Sequence, residues 1–397
     1  MLNTYNPITI LDKKEELLKE LEKIAEHASV KKAKQDSHAY RIPRPCGITV
    51  HPGLGCPNNC LYCYLIDFGP KFQEPKPYKL SGFEVSLSLL YNKWFIPGEM
   101  GTFIAIGSVC EPFHPIFYEK TIDYLKSFVK YLKNPIQFST KMFLDAKQVH
   151  EVVEAVEKHP LSPLITIITI KYAKSLEPNV PTPDKRFETI SNLRDAGFKP
   201  VLFLRPIIPG VTDREFEQIF ERASDAGAVG VVIGTLRISR KILERLKKAQ
   251  IDLHPIKERA AKIGGKQVHL SIADLKEEAL KIAKEFKLVP FRSACCANAF
   301  NASIPCANVC WATKFCTNCP NNCKQKRIHI TTEKINHTIE KILNTQTFNS
   351  EVNENHVKIV IPKSNEKDLK TKRKGISILL KTLLRRRVKI TFVNLQK

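Results

Sequence analysis

Apolar positions follow two rhythms along most of this chain. Between residues 12 and 35, Leu17, Leu18, Leu21 and Ile24 recur at helical spacing in an otherwise charged stretch, which predicts an N-terminal helix. Residues 37–45 break the pattern with basic side chains and two prolines and read as a linker. From residue 46 onward, short apolar runs trade places with amphipathic stretches. Strands are predicted at 101–106, 136–139, 164–170, 200–204, 229–233 and 268–270. Helices are predicted at 120–133, 146–158, 185–196, 213–226, 240–249 and 275–286. Such alternation predicts parallel βαβ units. About six repeats over 46–290 fit an open, partial (β/α)6 TIM-like barrel better than a closed eight-fold one, with ligands expected at the C-terminal ends of the strands.

After residue 290 the periodicity lapses. Residues 291–325 form a Cys-rich insert, and 326–397 resume as a small basic α/β unit of β-α-β-α-β pattern, with strands expected at 327–330, 357–361 and 388–393. The polar stretch 344–355 reads as a loop. The expected organisation is therefore a helical extension (1–45), a barrel (46–290), a Cys-rich segment (291–325) and a basic C-terminal domain (326–397). The longest apolar runs are strand-length, far short of the roughly 20 residues a bilayer requires. Residues 12–26 are charged where the apolar core of a signal peptide would fall. A cytoplasmic protein is expected.

Charge adds a partner class. The formal net charge is +23, and residues 324–397 hold 18 Lys/Arg against 6 Asp/Glu. A basic domain, especially 370–374 and 385–387, suits a polyanion such as RNA or DNA. The alternative is a Lys-rich surface of thermophile type.

The 12 cysteines are clustered. Cys56, Cys60 and Cys63 form C-x3-C-x2-C, whereas Cys46 and Cys110 stand apart. Three thiolates on one loop can hold three irons of a cubane cluster and leave the fourth open. Zinc, with His51 as a fourth ligand, is the alternative, and a chance spacing is the third. Seven more cysteines, Cys295, Cys296, Cys306, Cys310, Cys316, Cys319 and Cys323, lie within 29 residues. That density points to metal: an auxiliary [4Fe–4S] cluster, or structural zinc on a subset of these cysteines.

The run Gly55-Cys-Pro-Asn-Asn-Cys-Leu-Tyr-Cys-Tyr64 resembles the radical S-adenosylmethionine (radical SAM) superfamily. The details Leu61-Tyr-Cys-Tyr-Leu65, Gly107-Ser-Val-Cys-Glu-Pro-Phe-His-Pro115, Ser139-Thr-Lys141, Leu176–Arg186 and Leu204-Arg-Pro-Ile-Ile-Pro-Gly210 are similar, in that order, to the branch containing spore photoproduct lyase and DNA repair photolyase-like proteins. The resemblance covers about half of the chain, from about Gly47 to Ile238. It implies a [4Fe–4S] cluster on Cys56, Cys60 and Cys63, S-adenosylmethionine as cofactor, and an electron donor of ferredoxin or flavodoxin type.

It also implies roles for individual residues. Tyr62 would pack near the adenine and Tyr64 would frame the cofactor. Ser108 or Glu111 would face the methionine ammonium, although the family's usual Gly-Gly-Glu run is missing here. Lys141 would meet the methionine carboxylate or the ribose, Thr169 the ribose, and the backbone of Ile207, Ile208 and Pro209 the adenine. Cys110 falls in the loop where spore photoproduct lyase keeps a hydrogen-donating cysteine, and is the catalytic candidate. Core packing for the tyrosines, a surface position for Lys141 and a buried small hydrophobe for Cys110 are the plainer readings. Glu177 and Arg186 read as a structural ion pair. Arg205 reads as a substrate contact or a strand-end partner, and His114 as structural.

The function expected is generation of a 5′-deoxyadenosyl radical acting on nucleic acid, in RNA modification or DNA repair. Radical modification of a peptide or small molecule is a second reading. A non-enzymatic iron–sulfur or zinc RNA-binding protein is a third.

Overall fold

In the computed structural model, which describes residues 5–44, 47–69, 72, 74–309, 320–345, 348–362 and 372–393, seven parallel strands form the main sheet in chain order. They are β1 (Ile48–Val50), β2 (Ile104–Ile106), β3 (Ile136–Thr140), β4 (Leu161–Ile165), β5 (Val201–Ile207), β6 (Gly230–Thr235) and β7 (Val289–Phe291). The two end strands do not pair, so the barrel stays open. Most positions of β3 to β6 are buried, as expected where helices cover a parallel sheet.

The covering helices start at legible signals. Asp145 accepts from the Gln148 amide at 2.8 Å while the Gln148 side chain reaches back to the Asp145 amide, a reciprocal cap for Ala146–Val156. Thr182 caps Pro183–Asp195, with proline in its first turn. One large apolar cluster joins sheet, helices and the N-terminal helices.

The structure corrects several boundaries. The run 164–170 is β-rich, yet its strand is Leu161–Ile165. Beyond Ile165 the ladder is diverted: the Thr166 carbonyl accepts from Arg186 Nη1 at 2.9 Å and Thr169 turns toward Glu215. Of 268–270, only Val268–His269 is strand, and it pairs antiparallel with Arg237–Ile238 outside the main sheet. The seventh parallel strand is Val289–Phe291, three residues interrupted by a proline and thus weak as a pattern.

In the C-terminal unit, β8 (Asn349–Val352), β9 (His356–Pro362) and β10 (Arg387–Val393) form a separate sheet. β8 and β9 are antiparallel, while β9 and β10 are parallel across helix Arg373–Leu384. Residues 327–330 are not a strand: Ile328 and Ile330 alternate because both enter the C-terminal core. The polar run Asn349–Val352, read as loop, is an edge strand with one wet face. The same core takes in Trp94 and Ile96 from the barrel and Tyr5, Ile10 and Leu11 from the N-terminus. Gly375 lies flat on the Trp94 ring, where a Cβ would fall 2.4 Å from Cε2. Among the described residues no helix is long and apolar enough to cross a membrane.

Candidate active site

The three-cysteine loop follows β1 and sits where the other strands end. Gly55 enters it with φ +80°, and a Cβ there would meet the Glu74 carbonyl at 2.7 Å. Asn59 also takes a left-handed φ of 50°. Distant residues pin the loop. The Leu61 amide donates to the Leu176 carbonyl at 2.9 Å, and Asn179 Nδ2 donates to the Pro57 carbonyl at 3.0 Å. Arg245 Nη2 holds the Asn59 carbonyl at 3.0 Å and its Oδ1 at 2.6 Å. Gln267 Nε2 donates to the Tyr64 carbonyl at 2.8 Å.

Burial pushes the Cys60 thiol up to about 12, with Lys141 pulling the other way. Burial also raises Cys56, helped by Glu111 and by the two other thiols of the loop. Such thiols stay protonated until a metal takes the proton's place. Among the described residues, no three His, Cys, Asp or Glu side chains close on one point as a single ion requires. Burial, with His38 and Arg41 adding to it, holds the pKa of His51 down to about 3. The three thiols offered by this one loop fit a cluster with one open iron.

Around the loop lies a buried polar shell. The Tyr62 hydroxyl donates to Glu177, whose Oε2 sits 2.7 Å from Arg186 Nη2 in a fully buried ion pair. Lys141 Nζ stands 5.7 Å from the centroid of the Tyr62 ring. Burial works to lower its pKa, but Cys60, Glu177, Glu111 and Cys63 outweigh that and hold the ammonium charged.

Glu111 accepts from the Thr140 hydroxyl and from the Lys141 amide at 2.9 Å, and burial keeps it above the ordinary carboxylate range despite both. Gly107 turns the chain at the end of β2 with φ +100°, where a Cβ would fall 2.8 Å from the Ser139 carbonyl. Ser108 is exposed, and its carbonyl accepts from the Tyr64 hydroxyl. Cys110 is buried beside Glu111, and burial pushes its thiol up to about 12.

Thr169 does not present its hydroxyl outward: it donates to Glu215 Oε1 at 2.6 Å, and the Ile170 and Lys171 amides donate to the other oxygen. Ile207, Ile208 and Pro209 lie buried at the end of β5. The Ile208 amide donates to Thr212 Oγ1 at 3.0 Å, and its carbonyl accepts from the Val211 and Thr212 amides. Arg205 is exposed near the same strand end, and His114 Nδ1 accepts from the Ile116 amide at 3.3 Å. Asn179, Glu215, Arg245 and Gln267 were not among the sequence candidates. Their partners are 44 to 203 residues away, so no local pattern marks them.

In the Cys-rich segment, Cys295 and Cys296 sit on helix Ala294–Asn301. Cys295, Cys306 and Cys323 share a buried cluster with Phe103 and Ala299. Cys310, Cys316 and Cys319 lie outside the described residues.

Residues 50–223 match the family model of the radical SAM superfamily. Residues 50–223 therefore form a radical SAM domain. This stretch opens just before the cysteine loop and runs through β5. Uncharacterised proteins of Mycobacterium bovis and Mycobacterium tuberculosis are 23% identical to this chain over 209 residues, covering 49% of it. The match spans 60% of the length of each mycobacterial relative. A mutant spore photoproduct lyase with bound S-adenosylmethionine and a dinucleoside spore photoproduct resembles it with a TM-score of 0.49 at 14% identity, over 64% of this chain and 76% of that one. A radical SAM methyltransferase from Sphaerobacter thermophilus gives 0.42 at 14%, over 63% and 67%. Neither likeness bears on this chain's own chemistry.

Proposed function

We propose that this chain is a cytoplasmic radical SAM enzyme acting on a nucleic acid, RNA ahead of DNA, with a second metal centre in its Cys-rich segment. The observation that carries the reading is the pinned loop of three thiols at the strand ends, ringed by Tyr62, Lys141 and Glu111. Cys56, Cys60 and Cys63 would hold the [4Fe–4S] cluster. When bound, it supplies the electron that breaks a sulfur–carbon bond of S-adenosylmethionine, so that a 5′-deoxyadenosyl radical takes hydrogen from the substrate. Lys141 offers a half-buried cation to the carboxylate or ribose of S-adenosylmethionine. Tyr62 and Tyr64 wall the space beside it. Cys110, kept protonated by burial, retains the S–H bond that hydrogen return to a product radical needs. A ferredoxin- or flavodoxin-type protein would supply electrons.

The nucleic-acid reading rests on charge and shape. A groove of about 570 Å3 on the C-terminal unit is lined by Lys358, Lys381, Arg387 and Lys389, with Glu351 as its acidic member. Of the basic runs in the sequence, Lys370 lies outside the described residues, and Arg385 and Arg386 are buried. Lys372, Arg373 and Lys374 are exposed, and Arg387 and Lys389 line the groove, so these cations are open to a phosphate backbone.

The test is anaerobic protein, reduced and given S-adenosylmethionine. Wild type should release 5′-deoxyadenosine. The Cys56→Ala/Cys60→Ala/Cys63→Ala variant should release none and lose about four irons. Iron-replete, reduced wild type that releases no 5′-deoxyadenosine would sink the proposal.

A further inference from the structure

Arg385 is a fully buried cation outside the active site. It ends helix Arg373–Leu384 in a left-handed conformation, φ 47°, and is only 1% exposed. Its Nη2 donates to the Met100 carbonyl at 2.6 Å, across the junction between the C-terminal unit and the barrel. Its Nε and Nη1 are buried and have no hydrogen-bond partner among the described residues. Among the described residues no carboxylate pairs with it, and the ionisable groups that act on its charge are Tyr5, Cys306 and Cys323. A guanidinium with no counter-charge costs several kcal/mol to bury, and neutral thiols do not supply that charge.

Each of the thiols nearby has a polar group beside its sulfur, although among the described residues the three do not by themselves close on one metal position. Asn321 Nδ2 donates to Cys323 Sγ at 3.0 Å, the Asn308 amide donates to Cys306 Sγ at 3.4 Å, and Ser293 Oγ lies 3.0 Å from Cys295 Sγ. Such N–H and O–H donors orient and stabilise metal-bound sulfur. Asn321 is itself fixed, donating to the Ile304 carbonyl and accepting from Lys326. Three or more thiolates around a doubly charged zinc ion or iron–sulfur core leave a net charge of about −1 or lower. That is the charge the orphaned guanidinium lacks.

We propose that Arg385 is the buried counter-cation of a metal–thiolate centre to which Cys295, Cys306 and Cys323 contribute, and that loading this centre fastens the C-terminal unit to the barrel. This deepens the second metal centre proposed above and is independent of radical chemistry. Metal binding displaces the thiol protons to solvent, while Arg385 stays charged throughout and balances the centre.

The test uses the full chain with Cys56, Cys60 and Cys63 replaced by alanine, so that the first cluster contributes nothing. Iron, sulfide and zinc are measured after anaerobic reconstitution. Iron with sulfide identifies a cluster and zinc alone a zinc–thiolate site, and either supports the proposal. In that background Cys306→Ala/Cys323→Ala should abolish the metal. Arg385→Met should speed its loss to a chelator at least tenfold, with Arg385→Lys between. In the metal-free form the order should reverse, Arg385→Met melting above the arginine protein because the bare charge is gone. A folded background protein that takes up neither metal would overturn the proposal. So would Arg385→Met holding metal as tightly as arginine, or melting below it in both forms.

Discussion

Lys14 shows what burial does to a single charge. Its ammonium lies in the contact between the N-terminal helix Pro7–Ile24 and the barrel, donating to the Asn92 carbonyl at 2.6 Å. Burial pulls its pKa down to about 7, with Glu15 opposing only weakly. The unfolded chain therefore holds an extra proton at this site between about pH 7 and 10.4. Stability should rise with pH across that window as the folded-state penalty disappears. Lys14→Met should be more stable than wild type at pH 7, by roughly 3 kcal/mol, and the gap should close by pH 10. Urea denaturation at the two pH values measures it, and a gap independent of pH would refute the assignment. Sequence pattern offered no warning: Lys14 falls in a charged run that reads as a solvated face.

At the scale of elements, helix Pro183–Asp195 holds the active-site floor through one side chain. Arg186 reaches Glu177 at 2.7 Å and the Thr166 carbonyl at 2.9 Å, and Glu177 receives the Tyr62 hydroxyl from the cysteine loop. One helix thereby ties together the ends of β1 and β4. Arg186→Met strands a buried carboxylate and should cost about 3–5 kcal/mol. Adding Glu177→Gln should recover much of the loss. Chemical denaturation of both variants checks this, and equal stability of single and double variants would mean that the pair is not coupled. The ion pair itself was legible in the resemblance to the spore photoproduct lyase branch, whose signature includes both residues. That it also carries Tyr62 was not, since 115 residues separate Tyr62 from Glu177.

For the whole molecule, the arrangement puts radical chemistry and basic charge on separate units that share a core. Trp94 and Ile96 pack with the C-terminal apolar cluster, and the Tyr5 hydroxyl donates to the Leu383 carbonyl at 2.7 Å. A nucleic acid in the Arg387–Lys389 groove would be held by a unit fastened to the barrel. Affinity for single-stranded RNA should fall steeply with salt, and Arg387→Ala/Lys389→Ala should flatten the log–log slope by about 1 to 1.5. Titration at several salt concentrations reads this, and an unchanged slope would place the contact elsewhere.

The sequence alone determined the features that depend on local spacing. Alternating strand and helix runs specify a parallel α/β barrel because each period buries one face. C-x3-C-x2-C specifies a three-thiol loop because the three cysteines sit within eight residues. The tertiary structure decided what depends on distant partners. It ended the fourth strand at Ile165, because Arg186 and Glu215 capture the backbone and side chain beyond it. It made an edge strand of polar residues 349–352, which pair with β9 and need no buried face. It also turned Arg385 from a member of a basic surface run into a buried charge facing two cysteines. Composition sets how many charges a chain carries, but only packing decides which of them lose water.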